Sequence, residues 1–221
     1  MASRAKQRVI VIDGGGGTGT SSNGEATGRK LGCDYLNSGE IYRAFAFQLM
    51  YEGWGGTDLK AEPELAGRTV RGYELKFAEG GVSSINGINC SGILHAPEIG
   101  RFVPDVAEIP EVRRVVEDLA RRFIAERPLS IIEGRAGAWE IPDAELKIWL
   151  TCDPIVAASR RGCSVEDLIA RNNQDATRET SPMIKHPDAI QIDTSTWTVD
   201  QVSNHIVALW EMVQARHYAL R

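Results

Sequence analysis

A glycine-rich segment between an apolar run and a polar run is the part of the sequence best suited to chemistry. The apolar run ends at Asp13, and the segment then reads GGGGTGTSS from Gly14 to Ser22. Glycine lets a backbone curl tightly, so that several N–H groups point into one concavity and the chain comes close to a ligand. A helix that begins directly afterwards adds its own N–H groups and a partial positive charge. The pattern therefore predicts a loop that binds the phosphate groups of a nucleotide.

The spacing of this segment matches the P-loop pattern G-x-x-x-x-G-K-[ST] at every fixed position except one. Thr20 stands where the pattern has lysine, and Ser21 fills the position whose hydroxyl contacts Mg²⁺. A P-loop lysine bridges the β- and γ-phosphates as a point charge, whereas threonine offers only a hydroxyl donor.

Three interpretations of the missing lysine stay open at this point. The loop is a catalytically weakened relic, or the glycines form only a flexible connection between a strand and a helix. In the third interpretation another cation replaces the lysine, and the candidates are Arg160, Arg161, Arg171 and Arg178.

The elements around the loop alternate between apolar strands and amphipathic helices. Strands are predicted over 8–13, 34–36, 129–133, 145–151 and 189–193. Helices are predicted over 20–31, 41–52, 110–126, 198–216 and from Asp153 past Arg161, with the hydroxyls of Thr20, Ser21 and Ser22 capping the first. This alternation implies a three-layer α/β fold, with a parallel sheet, helices on both faces and ligands at the carboxyl ends of the strands.

Two stretches differ from the regular alternation. Residues 57–100 are less regular, with short strands over 74–77 and 81–89 and a hairpin turn at Asn86-Gly87. Residues 160–182 form a polar segment that carries several arginines. We interpret the first stretch as an insertion within one domain that spans residues 1–221.

The composition limits the class of protein and its partners. The 221 residues are 43% hydrophobic and 25% charged, with a net charge of −5, which argues against duplex nucleic acid as the main ligand. No apolar stretch is long enough for a membrane span or a signal-peptide core, and the four cysteines lack the spacing of a zinc site. We expect a cytoplasmic protein with reduced thiols that binds small nucleotides and neither nucleic acid nor membranes. A monomer is expected, with an oligomer left open.

Five segments, in this order along the chain, resemble the cytidylate kinase family of nucleoside monophosphate kinases. They are IDGGGGTGTSS (12–22), DYLNSGEIYRA (34–44), APEIGRFVPDVAEIPEVRR (96–114), IIEGRAGAWEIPDAELKIWLT (131–151) and ARNNQDATRETSP (170–182). The run IPDAELKIWLT is the most distinctive, and the order of all five makes the resemblance specific. One branch of that family carries a loop without the lysine, so the resemblance implies that Thr20 is compatible with activity.

The resemblance implies that the γ-phosphate of ATP is transferred to a pyrimidine nucleoside monophosphate, with CMP or dCMP as the expected acceptor and Mg²⁺ as cofactor. Ser21 would serve the metal, and the donor phosphates would bind to Gly14, Gly15, Gly16, Gly17, Thr18, Gly19, Thr20, Ser21 and Ser22. The acceptor would bind to Ser38, Tyr42, Arg43, Arg113 and Arg135, with Arg43 and Arg113 clamping its phosphate.

The resemblance also implies two auxiliary parts of a P-loop NTPase fold, an acceptor-binding insertion at about 57–100 and a lid at about 160–182. The lid would contribute Arg160, Arg171, Asp175 and Arg178, and its arginines would act with Arg43 and Arg113 on the transferring phosphoryl group.

Three positions depart from the family pattern. Pro104 replaces a serine that contacts the base, Ala136 replaces the aspartate of a GRD motif, and Glu133 replaces an aspartate just before it. Loss of a buried hydrogen-bonding group changes specificity strongly, because its former partners are left unpaired. Two alternatives therefore stay open: a kinase for UMP or a different or modified small acceptor, and a nucleotide-binding protein without turnover.

Overall fold

A computed structural model describes residues 8–78, 81–90, 92–179 and 181–219, with side chains as far as Arg216. The chain divides into two compact units. The first unit contains the residues up to Leu36 and those from Phe123 onward, and the second contains Asn37–Arg122. Within the described ranges, no helix is both long and apolar enough to cross a bilayer.

The secondary structure follows the alternation expected from the sequence. The strands are β1 (Arg8–Gly14), β2 (Asp34–Asn37), β3 (Leu75–Ala78), β4 (Gly81–Ile85), β5 (Ile88–Asn89), β6 (Leu129–Gly134), β7 (Leu146–Thr151) and β8 (Ile190–Asp193). The helices are α1 (Thr20–Leu31), α2 (Ser38–Tyr51), α3 (Gly56–Ala61), α4 (Pro63–Arg71), α5 (Pro97–Glu108), α6 (Pro110–Ala125), α7 (Gly137–Glu140), α8 (Pro154–Arg161), α9 (Val165–Thr177) and α10 (Val199–Ala219).

A five-stranded sheet forms the centre of the first unit, in the order β2-β6-β1-β7-β8. The pairings of β1 with β6, β1 with β7, and β7 with β8 are all parallel. The register sets Asp13 opposite Gly134 on one side and opposite Trp149 on the other, so the carboxyl ends of these strands meet at one edge. The predicted α/β fold with a parallel sheet is confirmed, and it places the glycine-rich segment at the edge where ligands bind.

The core of the first unit explains why β1 reads as an uninterrupted apolar run. Ile10 and Ile12 are fully buried, and they belong to a cluster that includes Ile148 of β7 and Trp210 of α10. Strands that are covered on both faces need apolar side chains at successive positions rather than alternate ones. The strand is therefore fixed by burial, and the loop that follows it starts from a rigid support.

The second unit combines helices with a small antiparallel sheet in the order β3-β4-β5. The hairpin between β4 and β5 turns at Asn86 and Gly87, whose φ angles are 48° and 79°. Two successive positive φ angles are typical of the type I′ turn that Asn-Gly favours, so the predicted hairpin is confirmed.

The helical content of two stretches exceeds what the sequence pattern indicated. Helices α3 and α4 and the start of α5 lie in the stretch that was expected to be less regular, and α9 occupies most of 160–182. Helix α3 has only 6 residues, too few for an apolar period to be recognised. Helix α5 contains Pro104 in its interior, where proline removes a backbone hydrogen bond and ordinarily argues against a helix.

Candidate functional site

The glycine-rich segment is a tight loop between β1 and α1. Gly17 and Gly19 have φ angles of 78° and 88°, a region that side chains with a Cβ rarely adopt. A methyl group added at Gly17 would lie 2.4 Å from the carbonyl oxygen of Ala157 in α8. One added at Gly14 would lie 2.6 Å from Oγ1 of Thr18. The glycines are therefore required by close packing and backbone geometry, and the loop is not simply a flexible connection.

One backbone amide of this loop already faces an acceptor oxygen. The N–H of Gly16 donates to Oδ1 of Asn172 in α9, at an N···O distance of 3.0 Å. The loop is also braced internally, because the carbonyl oxygen of Gly15 accepts from Oγ1 of Thr18 at 2.8 Å. A phosphate oxygen is a stronger acceptor than an amide oxygen and suits the same N–H. The loop thus fits a phosphate group.

Helix α1 begins at Thr20, and Gly19 occupies its N-cap position. The expected capping of this helix by the hydroxyls of residues 20–22 is therefore wrong, since the cap is a glycine without a side chain. The hydroxyl of Thr20 instead donates to Oε1 of Glu133 at the end of β6, with an O···O distance of 2.5 Å.

Glu133 forms hydrogen bonds with several polar side chains near the start of α1. Its carboxylate accepts hydrogen bonds from Thr20, Ser21 and the hydroxyl of Tyr35, the last at 3.3 Å. Burial raises the pKa of Glu133, while these hydrogen bonds and the nearby charge of Arg135 oppose the rise. The replacement of aspartate by glutamate thus gives a carboxylate that reaches the position where the lysine is missing, and it engages the Thr20 hydroxyl.

Asp13 is a second buried carboxylate at the same edge of the sheet. It is 1% exposed, and it accepts hydrogen bonds from the backbone N–H groups of Gly137 and Ala138 at 3.0 and 2.8 Å. Burial raises the pKa of Asp13 to about 7, against the opposing effect of these two hydrogen bonds. Asp13 therefore holds the start of α7 against the end of β1, and its charge changes close to neutral pH.

The Asp13→Asn variant is expected to lose part of the pH dependence of stability. The folded wild type keeps this proton up to a pH of about 7, whereas the unfolded chain releases it near 3.8. Between these values the folded state binds more protons, so its free energy of unfolding falls as the pH rises, by about 4 kcal/mol from this group. Urea unfolding from pH 4 to 8 should show a shallower decline in the variant, and equal slopes would contradict the assignment.

A group of arginines lies at α8, α9 and the segment after β6. Arg135 pairs with Asp175, which is buried and also pairs with Arg178 at an N···O distance of 3.1 Å. Burial lowers the pKa of Arg135, the charges of Arg171 and Arg161 lower it further, and Asp175 opposes them. Two cations thus share one carboxylate while two more lie nearby, an arrangement that an incoming anion would stabilise.

Arg160 is directed away from this group of cations. Its Nη1 donates to Oγ1 of Thr194 at 3.0 Å and to Sγ of Cys152 at 3.4 Å, and its Nη2 donates to the carbonyl oxygen of Thr194 at 2.8 Å. Thr194 in turn donates to the carbonyl oxygen of Thr18 at 2.9 Å. Arg160 therefore joins the end of α8 to the segment after β8, which itself supports the loop.

The remaining predicted site residues lie in the second unit. Nη1 of Arg43 in α2 donates to the carbonyl oxygen of Leu94 at 2.8 Å. Arg113 in α6 is 8% exposed, its Nη1 donates to Ala107 at 3.0 Å, and its guanidinium lies 5.5 Å from the ring centroid of Tyr42. Backbone carbonyls and an aromatic face thus orient both guanidinium groups.

Ser38 begins α2, directly after the N-cap Asn37, whose side chain accepts from the N–H of Glu40. The second unit thus contains Arg43, Arg113 and Tyr42, while the loop, Arg135 and the arginines of α8 and α9 belong to the first unit.

Two side chains at the site could not be identified from the sequence. Asn172 contacts the loop from 156 positions away, and Thr194 contacts it from 176 positions away. Neither residue type is unusual where it stands, because asparagine in a polar helix and threonine after a strand are ordinary surface choices. Only the contact itself identifies them.

Comparison with known proteins gives matches along most of the chain. The cytidylate kinase family model matches residues 10–212. A cytidylate kinase from Streptomyces avermitilis is 35% identical over 220 residues, which cover 94% of this chain and 94% of that protein. Another from Chlamydia pneumoniae is 32% identical over 216 residues, which cover 91% of this chain and 97% of that protein. The matched region includes the glycine loop, the arginines of α8 and α9, and the whole of the second unit.

Proposed function

The chain belongs to the cytidylate kinase family, and from this premise we propose that it transfers the γ-phosphate of ATP to CMP or dCMP. Membership makes it an ATP-dependent phosphotransferase that acts on a nucleoside monophosphate. Two parts of the proposal go beyond family membership: the choice of a cytidine nucleotide as acceptor, and the role of each residue.

The observation that carries the proposal is the loop whose amide at Gly16 faces an acceptor oxygen. In the proposed complex a phosphate oxygen of ATP takes the place of Oδ1 of Asn172. The other N–H groups of the loop and those of the first turn of α1 would hold the remaining donor oxygens, since a helix start favours anions. Residues 14–22 together would form the donor site.

Mg²⁺ would be held by the hydroxyl of Ser21, with Glu133 as a hard oxygen group beside it. When bound, the ion supplies positive charge that neutralises phosphate oxygens. Within the ranges that the structure describes, no three histidine, cysteine or acidic side chains form a metal cluster. This composition suits an ion whose other ligands are phosphate and water oxygens.

The acceptor phosphate would bind to Arg43 and Arg113, because each guanidinium presents a planar fork that matches two phosphate oxygens. Ser38 and Tyr42 would complete this part of the acceptor site, and we assign Arg135 to acceptor binding as well. We assign the acceptor-binding insertion to about 57–100.

The lid is assigned to about 160–182, which includes most of α9 with Arg171 and Arg178, and Arg160 would secure its base through Thr194. A lid that closes over ATP would exclude water, so that the nucleotide rather than water receives the phosphoryl group.

The decisive experiment measures ADP release with Mg²⁺, ATP and a panel of acceptors: CMP, dCMP, UMP and AMP. We expect the highest kcat/KM with CMP or dCMP. A preference for UMP would support the alternative acceptor. So would a lack of turnover with all four nucleotides, if a modified pyrimidine nucleotide tested next is phosphorylated. That alternative has a specific basis, because Ala136 is 3% exposed and brings no carboxylate to the site. Binding of an ATP analogue without turnover on any acceptor would instead support a nucleotide-binding protein.

A further inference from the structure

We propose that Arg161 supplies the positive charge that lysine provides in other P-loops, and that it contacts the β- and γ-phosphates of ATP. The inference rests on the proposed function in one respect, namely that the loop binds the polyphosphate of ATP. The P-loop pattern gives Arg161 no role, because Arg161 lies 141 positions after Thr20 and in a different helix.

The residue at the lysine position does not supply this charge. Thr20 is neutral, and its hydroxyl donates its hydrogen to Glu133 at 2.5 Å. The carboxylate of Glu133 lies where it would compete with a phosphate for any donor at position 20. The replacement cation must therefore reach the loop from another element.

Arg161 is the arginine that the structure places against the loop. A methyl group added at Gly16 would lie 3.2 Å from Nη1 of Arg161 and 3.4 Å from its Cδ. The other side chains nearest to Gly15 and Gly16 are those of Asn172 and Leu168, and neither is charged. The guanidinium thus lies beside the loop amide that fits a phosphate oxygen.

Three other arginines of this region are engaged elsewhere. Arg160 makes three hydrogen bonds to Thr194 and Cys152. Arg135 and Arg178 pair with Asp175. Arg161 is exposed and makes no ion pair or side-chain hydrogen bond within the part of the chain that the structure describes. Its guanidinium therefore stays available for an anion.

The backbone of α8 fixes Arg161 in this position. The carbonyl oxygen of Ala157 packs on Gly17, so α8 is seated directly against the loop. Gly162 then ends the helix in the left-handed conformation, with φ 65°, directly after Arg161. Arg161 is the last residue of α8 and lies one helical turn after Ala157, which contacts the loop. Its side chain can therefore reach a phosphate at the loop without a change in the backbone.

The electrostatics favour an anion at this point. The charges of Arg161 and Arg171 both lower the pKa of Arg135, so these cations lie close enough to repel one another. A polyphosphate would relieve this repulsion, and the planar fork of a guanidinium matches two phosphate oxygens in a fixed geometry, whereas an ammonium acts as a point charge. The loss of the lysine is thus compensated by a cation that approaches from the lid.

The test is the Arg161→Ala variant, with a nonhydrolysable ATP analogue and CMP titrated separately by calorimetry. We expect the affinity for the analogue to fall at least tenfold, with no change for CMP, and kcat/KM for ATP to fall by a similar factor. Arg161→Lys should recover most of the affinity because it keeps the charge. Arg29→Ala, which removes an exposed arginine of α1 that pairs with Glu25, serves as the matched control and should change neither value.

A second variant asks whether Arg161 performs the lysine's task. Thr20→Lys alone should give no gain in rate, because the loop already has a cation and the new ammonium would pair with Glu133. In the Arg161→Ala background the same change should restore part of the lost affinity for the analogue. A large gain from Thr20→Lys alone would show a decayed loop and overturn the proposal.

The outcomes separate this inference from the proposed function. If the wild type binds the analogue and Arg161→Ala binds it equally well, the inference is wrong, whatever acceptor is used. If the wild type phosphorylates neither CMP nor dCMP but loses analogue affinity on Arg161→Ala, the acceptor assignment is wrong and the inference stands. A wild type that does not bind the analogue at all would overturn both.

Discussion

Arg43→Ala is expected to reduce kcat/KM for CMP at least tenfold while leaving the KM for ATP unchanged. The variant removes charge-assisted hydrogen bonds to the acceptor phosphate, each of about 1.5–3 kcal/mol, which corresponds to roughly 10- to 150-fold. The structure adds a reason for the size of the effect. Arg43 is already oriented by its hydrogen bond to Leu94, so little side-chain entropy is lost when the phosphate binds. Initial rates at varied CMP and at varied ATP measure the two constants independently.

The controls for Arg43→Ala test charge, geometry and folding in turn. Arg43→Lys keeps the charge but loses the planar fork, so it should fall between the wild type and the alanine variant. Arg101→Ala removes an exposed arginine of the same unit that pairs with Glu98 on its own helix, and it should behave as the wild type. Wild-type kinetics in Arg43→Ala, with an unchanged melting temperature, would remove Arg43 from the acceptor site.

The parts of the molecule that the sequence predicts well are those determined by neighbouring residues. Helix α1 was predicted over 20–31, which is where it lies, because a glycine precedes it and another, Gly32 with φ 62°, ends it. The Asn86-Gly87 turn is similarly local, since both residues tolerate positive φ. Backbone preference and burial act over a few residues in these cases, so the pattern alone is enough.

Contacts between residues that are distant in the sequence could not be predicted. The hydrogen bond from Thr20 to Glu133 spans 113 positions, and the contact of Asn172 with the loop spans 156. Pro104 shows the converse case, in which tertiary packing keeps a helix that local preference opposes. The sequence thus identifies the loop and its missing lysine, whereas only the fold shows that Arg161, one of the four candidate arginines, lies beside Gly16.

The same contacts decide between a decayed loop and an adapted one. A loop that had merely lost its lysine would have no other cation beside it. In this chain Glu133 stands in place of the family's aspartate, its carboxylate engages the hydroxyl of Thr20, and Arg161 lies beside Gly16. These three features are mutually consistent, because the carboxylate of Glu133 occupies the donor at position 20 and Arg161 supplies the positive charge that this position lacks. The arrangement therefore favours an adapted phosphate site, in which α8 and the loop must stay in contact.

That contact makes Gly17→Ala the most damaging single change that we expect in the loop. The added methyl group would meet the carbonyl oxygen of Ala157 at 2.4 Å, and the backbone at Gly17 has φ 78°. The unfavourable φ costs about 1–2 kcal/mol, and overpacking adds about 1–3 kcal/mol. Since the backbone cannot yield like a flexible side chain, α8 should move away from the loop and take Arg161 with it. Affinity for the ATP analogue should fall more than tenfold, and the free energy of unfolding by about 2–5 kcal/mol.

Gly32→Ala separates the two causes of this loss. Gly32 also has a positive φ, of 62°, but a methyl group there would have no neighbour within 4 Å. This variant should lose only the conformational part, about 1 kcal/mol, and should keep the full affinity for the ATP analogue. Denaturant unfolding and calorimetry on both variants provide the comparison. Equal losses of stability with unchanged analogue affinity in both would mean that α8 does not rest on the loop, and the case for Arg161 would fail with it.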